Sequence, residues 1–122
     1  MNALAFAPRY RPARLPGWWR MVCHRVDLVP DSGVVAWWNG TQVALFYIPA
    51  EDRVYAVENR DPRSGANVIG RGIVGHVDGS LVVAAPLYKQ HFRLEDGQCL
   101  EDAQLRLRTW SARLHGWRVE LS

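Results

Sequence analysis

The chain has 122 residues, 48% hydrophobic and 22% charged, which suits one globular domain that buries its own core. No apolar run approaches the roughly 20 residues of a membrane-spanning helix. The formal charge of +3 comes without the basic stripe and interleaved aromatics of a nucleic-acid binder, so an acidic protein partner or plain solubility accounts for it.

Residues 1–16, MNALAFAPRYRPARLP, are rich in Ala, Arg and Pro. Pro8, Pro12 and Pro16 rule out a continuous helix, so a flexible or partner-ordered arm is expected ahead of a domain over 17–122. The arm does not read as a secretory signal, because its apolar stretch is short and Arg and Pro follow it. The expectation is a cytoplasmic protein with no membrane and no nucleic-acid partner.

From Trp18 onward the pattern is β. Trp19 to Leu28 reads as a first strand, closed by Val29-Pro30-Asp31-Ser32-Gly33. Val34 to Trp38 and Gln42 to Ile48 flank Asn39-Gly40, a strong hairpin signal. Pro49-Ala50-Glu51-Asp52 is a turn, and Arg53 to Glu58 the next strand. Ile73 to Val77 and Leu81 to Ala85 flank Asp78-Gly79. His91 to Leu94 and Gln98 to Leu100 flank Asp96-Gly97. Leu105 to Leu114 and Trp117 to Leu121 close the chain around His115-Gly116. Asn67 to Arg71 and Asp102 to Leu105 are the places for a helical turn. Hairpins in series predict an all-β antiparallel sandwich or small barrel.

The informative stretch is Asn59 to Phe92. Two turn-rich segments, Asp61-Pro62-Arg63-Ser64-Gly65-Ala66 and Ala85-Pro86-Leu87-Tyr88-Lys89, flank the hairpin at Asp78-Gly79. This arrangement resembles the Rieske iron–sulfur family, whose loops Cys-Pro-His-x-Gly-Ala and Cys-Pro-x-His-Gly each give one Cys and one His to a [2Fe–2S] cluster. Without a gap, Asp61 and Arg63 stand at the first pair of ligand positions. Ala85 and Tyr88 stand at the second. Pro62, Gly65, Ala66, Pro86, Phe92 and the Leu94-Glu95-Asp96-Gly97 turn keep the frame. Together with Arg71-Gly72-Ile73-Val74-Gly75, these segments resemble the small subunit of assimilatory NAD(P)H nitrite reductase, a Rieske-like protein without a cluster.

The resemblance covers roughly residues 18–122 and implies a Rieske-like antiparallel β sandwich with no metal and no catalytic group of its own. It implies an accessory subunit supporting the reduction of nitrite to ammonium. The FAD, iron–sulfur cluster and sirohaem are then expected in a partner large subunit. Two rivals are a cluster-less adaptor of another redox complex and a Rieske-type ferredoxin of an oxygenase. The second needs Cys and His at the four degenerate positions.

Asp61 and Arg63 are either a local ion pair filling the place of the cluster or two solvated loop charges. Tyr88 is expected to pack its ring at the loop tip with its hydroxyl bonded to the facing loop. Lys89 and Gln90 are then presented to a partner, or are ordinary solvated side chains. Gly65, Gly70, Gly72 and Gly75 lack the context of a phosphate loop and read as turn residues. Six tryptophans include the pairs Trp18-Trp19 and Trp37-Trp38. Neighbours in a strand face opposite ways, so one ring of each pair is core and the other is an interface anchor or lies under the arm. Trp38 is the candidate anchor. Cys23 and Cys99 read as reduced thiols, with Cys23 packed and His24 exposed. The serines lack a nucleophile-elbow pattern, and Glu95-Asp96 and Glu101-Asp102 read as solvated turn carboxylates.

Overall fold

The computed structural model describes residues 18–122, so the expected arm at 1–16 lies outside the described residues. Among the described residues, ten strands form three antiparallel sheets. The central sheet has the order β2-β3-β4-β8, with β2 at Gly33–Trp38, β3 at Thr41–Ile48, β4 at Arg53–Glu58 and β8 at Thr109–Trp110. On one side lies β1-β10-β9, from Arg20–His24, Arg118–Leu121 and Ala112–His115. On the other lies β5-β6-β7, from Ile73–Val77, Ser80–Ala84 and His91–Arg93.

The central sheet is covered on both faces, and β3 shows why. Its Val43-Ala44-Leu45-Phe46 run is fully buried, the pattern of a strand with no solvent face. Alternate residues serve two cores. Val43, Leu45, Val54 and Ala56 pack with Leu28, Trp38, Val119 and Leu121. Ala44, Phe46, Tyr55 and Val57 pack with Ile69, Val83, Phe92, Leu94 and Leu107.

The Asn-Gly and Asp-Gly turns have the backbone their sequence calls for. Asn39 and Gly40 have φ of 50° and 80°, and Asp78 and Gly79 have 50° and 81°. Both positive values give the turn whose twist matches the flanking strands. The β5–β6 register runs from Ile73 opposite Ala84 to Val77 opposite Ser80, so the β6 strand starts and ends one residue earlier than expected.

Three expected strands need correction. The first stops at His24 instead of Leu28, because His24 and Asp27 cap a 3-10 turn over Arg25–Asp27. The His24 Nδ1 accepts from the Val26 amide at 3.0 Å, and the Asp27 carboxylate accepts from the His24 amide at 2.9 Å. These side-chain bonds offer the backbone an alternative to the ladder. Gln98 to Leu100 contributes only single bridges, Gln98 to Arg106 and Cys99 to Phe92. Leu105 to Leu114 breaks into a bridge at Arg106 and the strands β8 and β9, which pair with different sheets. Of the two expected helical turns, Ile69–Arg71 forms as a 3-10 turn, whereas Asp102 to Leu105 makes a simple turn closed by the Leu105 amide on the Asp102 carbonyl at 3.1 Å.

The C-terminal hairpin carries a buried carboxylate. Glu120 is 4% exposed and accepts from Arg113 Nε at 2.7 Å and Arg118 Nε at 2.9 Å. Burial by itself would raise its carboxyl, but the two guanidinium hydrogen bonds outweigh that and hold it below the ordinary glutamate value. A depressed folded value means stability present above the unfolded value and lost as pH falls through the folded one. Thermal melts should therefore weaken below pH about 4.5. Glu120→Gln should flatten that acid limb while costing stability at pH 7. An unchanged acid limb in the variant would remove Glu120 as its source.

Candidate functional site

The two turn-rich segments meet at one end of the domain, beyond the last residue of β4 and the last residue of β6. The first loop leaves β4 through Asn59, which is 2% exposed. Its Nδ2 donates to Gln42 Oε1 at 2.8 Å, and its Oδ1 accepts from the Gly70 amide at 2.7 Å. This side chain ties the loop to β3 and to the 3-10 turn that follows.

Asp61 is fully buried. Its Oδ1 accepts from the Arg63 amide at 2.8 Å, its amide donates to the Ala66 carbonyl at 2.8 Å, and its carbonyl accepts from the Gly65 amide at 2.7 Å. This is an Asx turn, a loop fastened by its own first residue. Asp61 Oδ2 has no donor among the described residues. The expected Asp61–Arg63 ion pair is not formed, and Asp61 is not solvated either. The carboxyl turns inward to the backbone, while the Arg63 guanidinium turns outward over the Tyr88 ring, 5.0 Å from its centroid.

The second loop is closed by the Ala85 amide on the Gln90 carbonyl at 2.8 Å and the Lys89 amide on the Ala85 carbonyl at 3.0 Å. Ala85 is 1% exposed, and Tyr88 is 56% exposed. Tyr88 meets the facing loop through its ring face under Arg63, not through the expected hydroxyl bond. Lys89 has φ of 59°. Lys89 stands where the Rieske motif has glycine, and a left-handed backbone costs a side chain roughly 1 kcal/mol.

Two expected partner contacts are buried. Gln90 is 8% exposed, because the chain reverses at Lys89 and sends the next side chain inward. Trp38 is 7% exposed, with the Arg20 guanidinium 4.3 Å from its ring centroid. Trp37 is the outward ring, 67% exposed. It shares a face of β2 with Val35, which packs beside Gly70. The adjacent pair announces that one ring faces out. Only the register, Trp38 opposite Thr41 and Trp37 opposite Gln42, decides which.

The other candidates sit apart from this end. Cys23 is half-buried, and burial, with Asp27 second, pushes its thiol up to about 11. Cys99 is buried and its thiol is raised chiefly by desolvation. Both are therefore protonated thiols at neutral pH in these surroundings. His24 stacks against Trp117, with ring centroids 5.1 Å apart. Glu101 is an exposed carboxylate, as expected, and its Oε2 also lies 2.6 Å from His91 Nδ1. Asp96 is bonded too, by Arg93 Nε and Nη2 at 3.0 and 2.7 Å. Among the described residues no three His, Cys, Asp or Glu side chains group as a metal site.

The donor set does not fit a [2Fe–2S] cluster. Such a cluster takes four ligands from Cys and His. Ala85 offers a methyl group, Arg63 a cation without a lone pair, and the Tyr88 ring is covered by that cation. Asp61→Ala should cost about 1–3 kcal/mol in denaturant melts by stranding the Arg63 amide. Asp61→Asn keeps the acceptor and should be close to neutral. Equal losses in both would mean that the carboxyl charge, and not the turn bond, holds the loop.

An antiparallel β sandwich whose two end loops straddle a covered tip is the architecture of a Rieske-like domain. Residues 18–122 match the family described as Rieske-like [2Fe-2S] domain. The nitrite reductase (NADH) small subunit of Salmonella typhimurium is 42% identical over 103 residues, covering 84% of this chain and 95% of that protein. The solution structure of the Escherichia coli protein NirD superposes with a TM-score of 0.77 at 40% identity, covering 84% of this chain and 94% of that one. A nitrite reductase [NAD(P)H] large subunit of Klebsiella oxytoca is 36% identical over 115 residues, which are 93% of this chain but 12% of that protein. The chain belongs to the nitrite reductase small-subunit family of Rieske-like proteins.

Proposed function

We propose that this chain is the accessory small subunit of an NAD(P)H-dependent nitrite reductase and acts by binding the large subunit. Electron transfer is left to the FAD, iron–sulfur cluster and sirohaem of that partner. The observation that carries the reading is a retained Rieske frame with a tip closed by Asp61 and by Arg63 over Tyr88. A domain that keeps the shape and has lost the donors has binding left to offer. The Klebsiella relative supports the partner, because a homologous stretch lies within a large-subunit chain. The complex is proposed to be cytoplasmic; separately, among the described residues no helix is long and apolar enough to cross a membrane.

The test is co-expression with the candidate large subunit, co-purification, and nitrite-dependent NADH oxidation with and without this chain. A stable complex whose nitrite turnover falls when the chain is removed is expected. Failure to co-purify would overturn the reading. In the complex, Tyr88→Ala should weaken binding by about 2 kcal/mol, the usual scale for an aromatic anchor. Unchanged affinity, with the fold intact, would move the contact to Trp37.

A further inference from the structure

We propose that the tip is an electrostatic docking surface, centred on Lys89, that is steered onto an acidic face of the large subunit. This rests on the subunit reading above and adds the chemistry of the partner surface.

The charge arrangement is positional and not compositional. Without Arg9, Arg11 and Arg14 the basic and acidic residues balance, twelve of each over 18–122. Yet the exposed charges on 59–73 and 84–90 are Arg60, Arg63, Arg71 and Lys89. The one acidic residue in those stretches is Asp61, and it is fully buried. None of the four cations forms an ion pair within 4.0 Å among the described residues. At the opposite end, charges of both signs meet: the β3–β4 turn carries Glu51 and Asp52, Asp52 pairs with Arg25, and Glu51 lines a depression with Glu95, His76 and Arg93. A domain with one cationic end and mixed charge elsewhere orients in the field of an acidic partner before contact, which raises the association rate.

Lys89 is the second observation. It is the single lysine of the chain, beside fourteen arginines. It holds a left-handed backbone, φ of 59°, that glycine adopts without strain. Strain at an exposed tip points to a side chain retained for contact, not for folding. Leu87 and Tyr88 beside it are 55% and 56% exposed, so the cations rim an apolar centre suited to a standard interface.

A single lysine also makes a clean probe. Reductive methylation, read by peptide mass mapping, reports on Lys89 separately from the N-terminal amine. Lys89 should be modified readily in the isolated chain and protected at least tenfold in the complex. The association rate should fall about tenfold or more between low and high salt. Lys89→Glu and Arg71→Glu should each slow association severalfold at low salt, with smaller changes in dissociation. Lys89→Gly should slow association while leaving the thermal midpoint unchanged or higher. Glu51→Lys, at the far end, should leave the rate unchanged.

Several results would overturn the proposal. A complex that forms with no salt dependence, or with Lys89 still fully reactive, would sink the docking surface and leave the subunit reading standing. No complex at all would remove both. Head-to-tail association of the isolated chain, abolished by Lys89→Glu, would assign the tip to a second copy of this chain.

Discussion

Gly97→Ala is expected to lower the stability of the domain by about 3–5 kcal/mol, the range in which a single change is diagnostic of a named steric cause. Gly97 has φ of 80°, and an added Cβ would stand 2.0 Å from the Leu107 carbonyl oxygen and 2.9 Å from its carbon. Those are backbone atoms. They are fixed by the Leu107 amide on the Gly97 carbonyl at 2.8 Å and cannot swing aside. The loss is a large share of the 5–15 kcal/mol typical of a domain, and a midpoint drop of 15 °C or more is expected. Gly79→Ala is the control. Its φ is 81°, yet nothing lies within 4 Å of the new Cβ. It should cost only the backbone strain, about 1 kcal/mol. Similar losses in the two variants would show that dihedral strain, and not the contact with Leu107, governs Gly97.

The second large effect is at Phe92. Phe92→Ala should cost about 3–5 kcal/mol by denaturant titration, through lost burial and the cavity left behind. The ring is fully buried in the core shared by Phe46, Val83, Leu94 and Leu107, and its backbone pairs with Val83 on β6. It therefore anchors the strand that follows the second loop. Tyr88, four residues earlier, is more than half exposed. Tyr88→Ala should leave the isolated domain within about 1 kcal/mol of wild type, as an exposed site away from the core. A cost at Tyr88 equal to that at Phe92 would mean that its ring under Arg63 is a structural clamp and not a docking surface.

What could be read from the residues follows the range of the interactions. Asn39-Gly40 and Asp78-Gly79 place hairpins by local backbone preference alone, and those turns stand where the dipeptides put them. The apolar run of β3 likewise announces a strand with no solvent face. The motif frame around Pro62, Gly65 and Pro86 located the two loops and showed the Rieske ligands replaced at Asp61, Arg63, Ala85 and Tyr88, because a motif is a local pattern.

The orientation of particular side chains was not legible, since it depends on partners distant in the chain. Asp61 and Arg63 are two apart in sequence. Whether they pair depends on Tyr88, twenty-five residues on, which draws the guanidinium outward and leaves the carboxyl to the backbone. Trp37 and Trp38 are equivalent as letters, and the register against Gln42 and Thr41 sends one out and one in. Gln90 looks like a presented amide until the left-handed turn at Lys89 points it into the domain. Local sequence determined the Asn-Gly and Asp-Gly hairpins, the buried run of β3 and the replacement of the cluster ligands. Tertiary packing decided which charges the tip displays, because it turns the Asp61 side chain away from the surface and leaves Arg60, Arg63, Arg71 and Lys89 facing solvent.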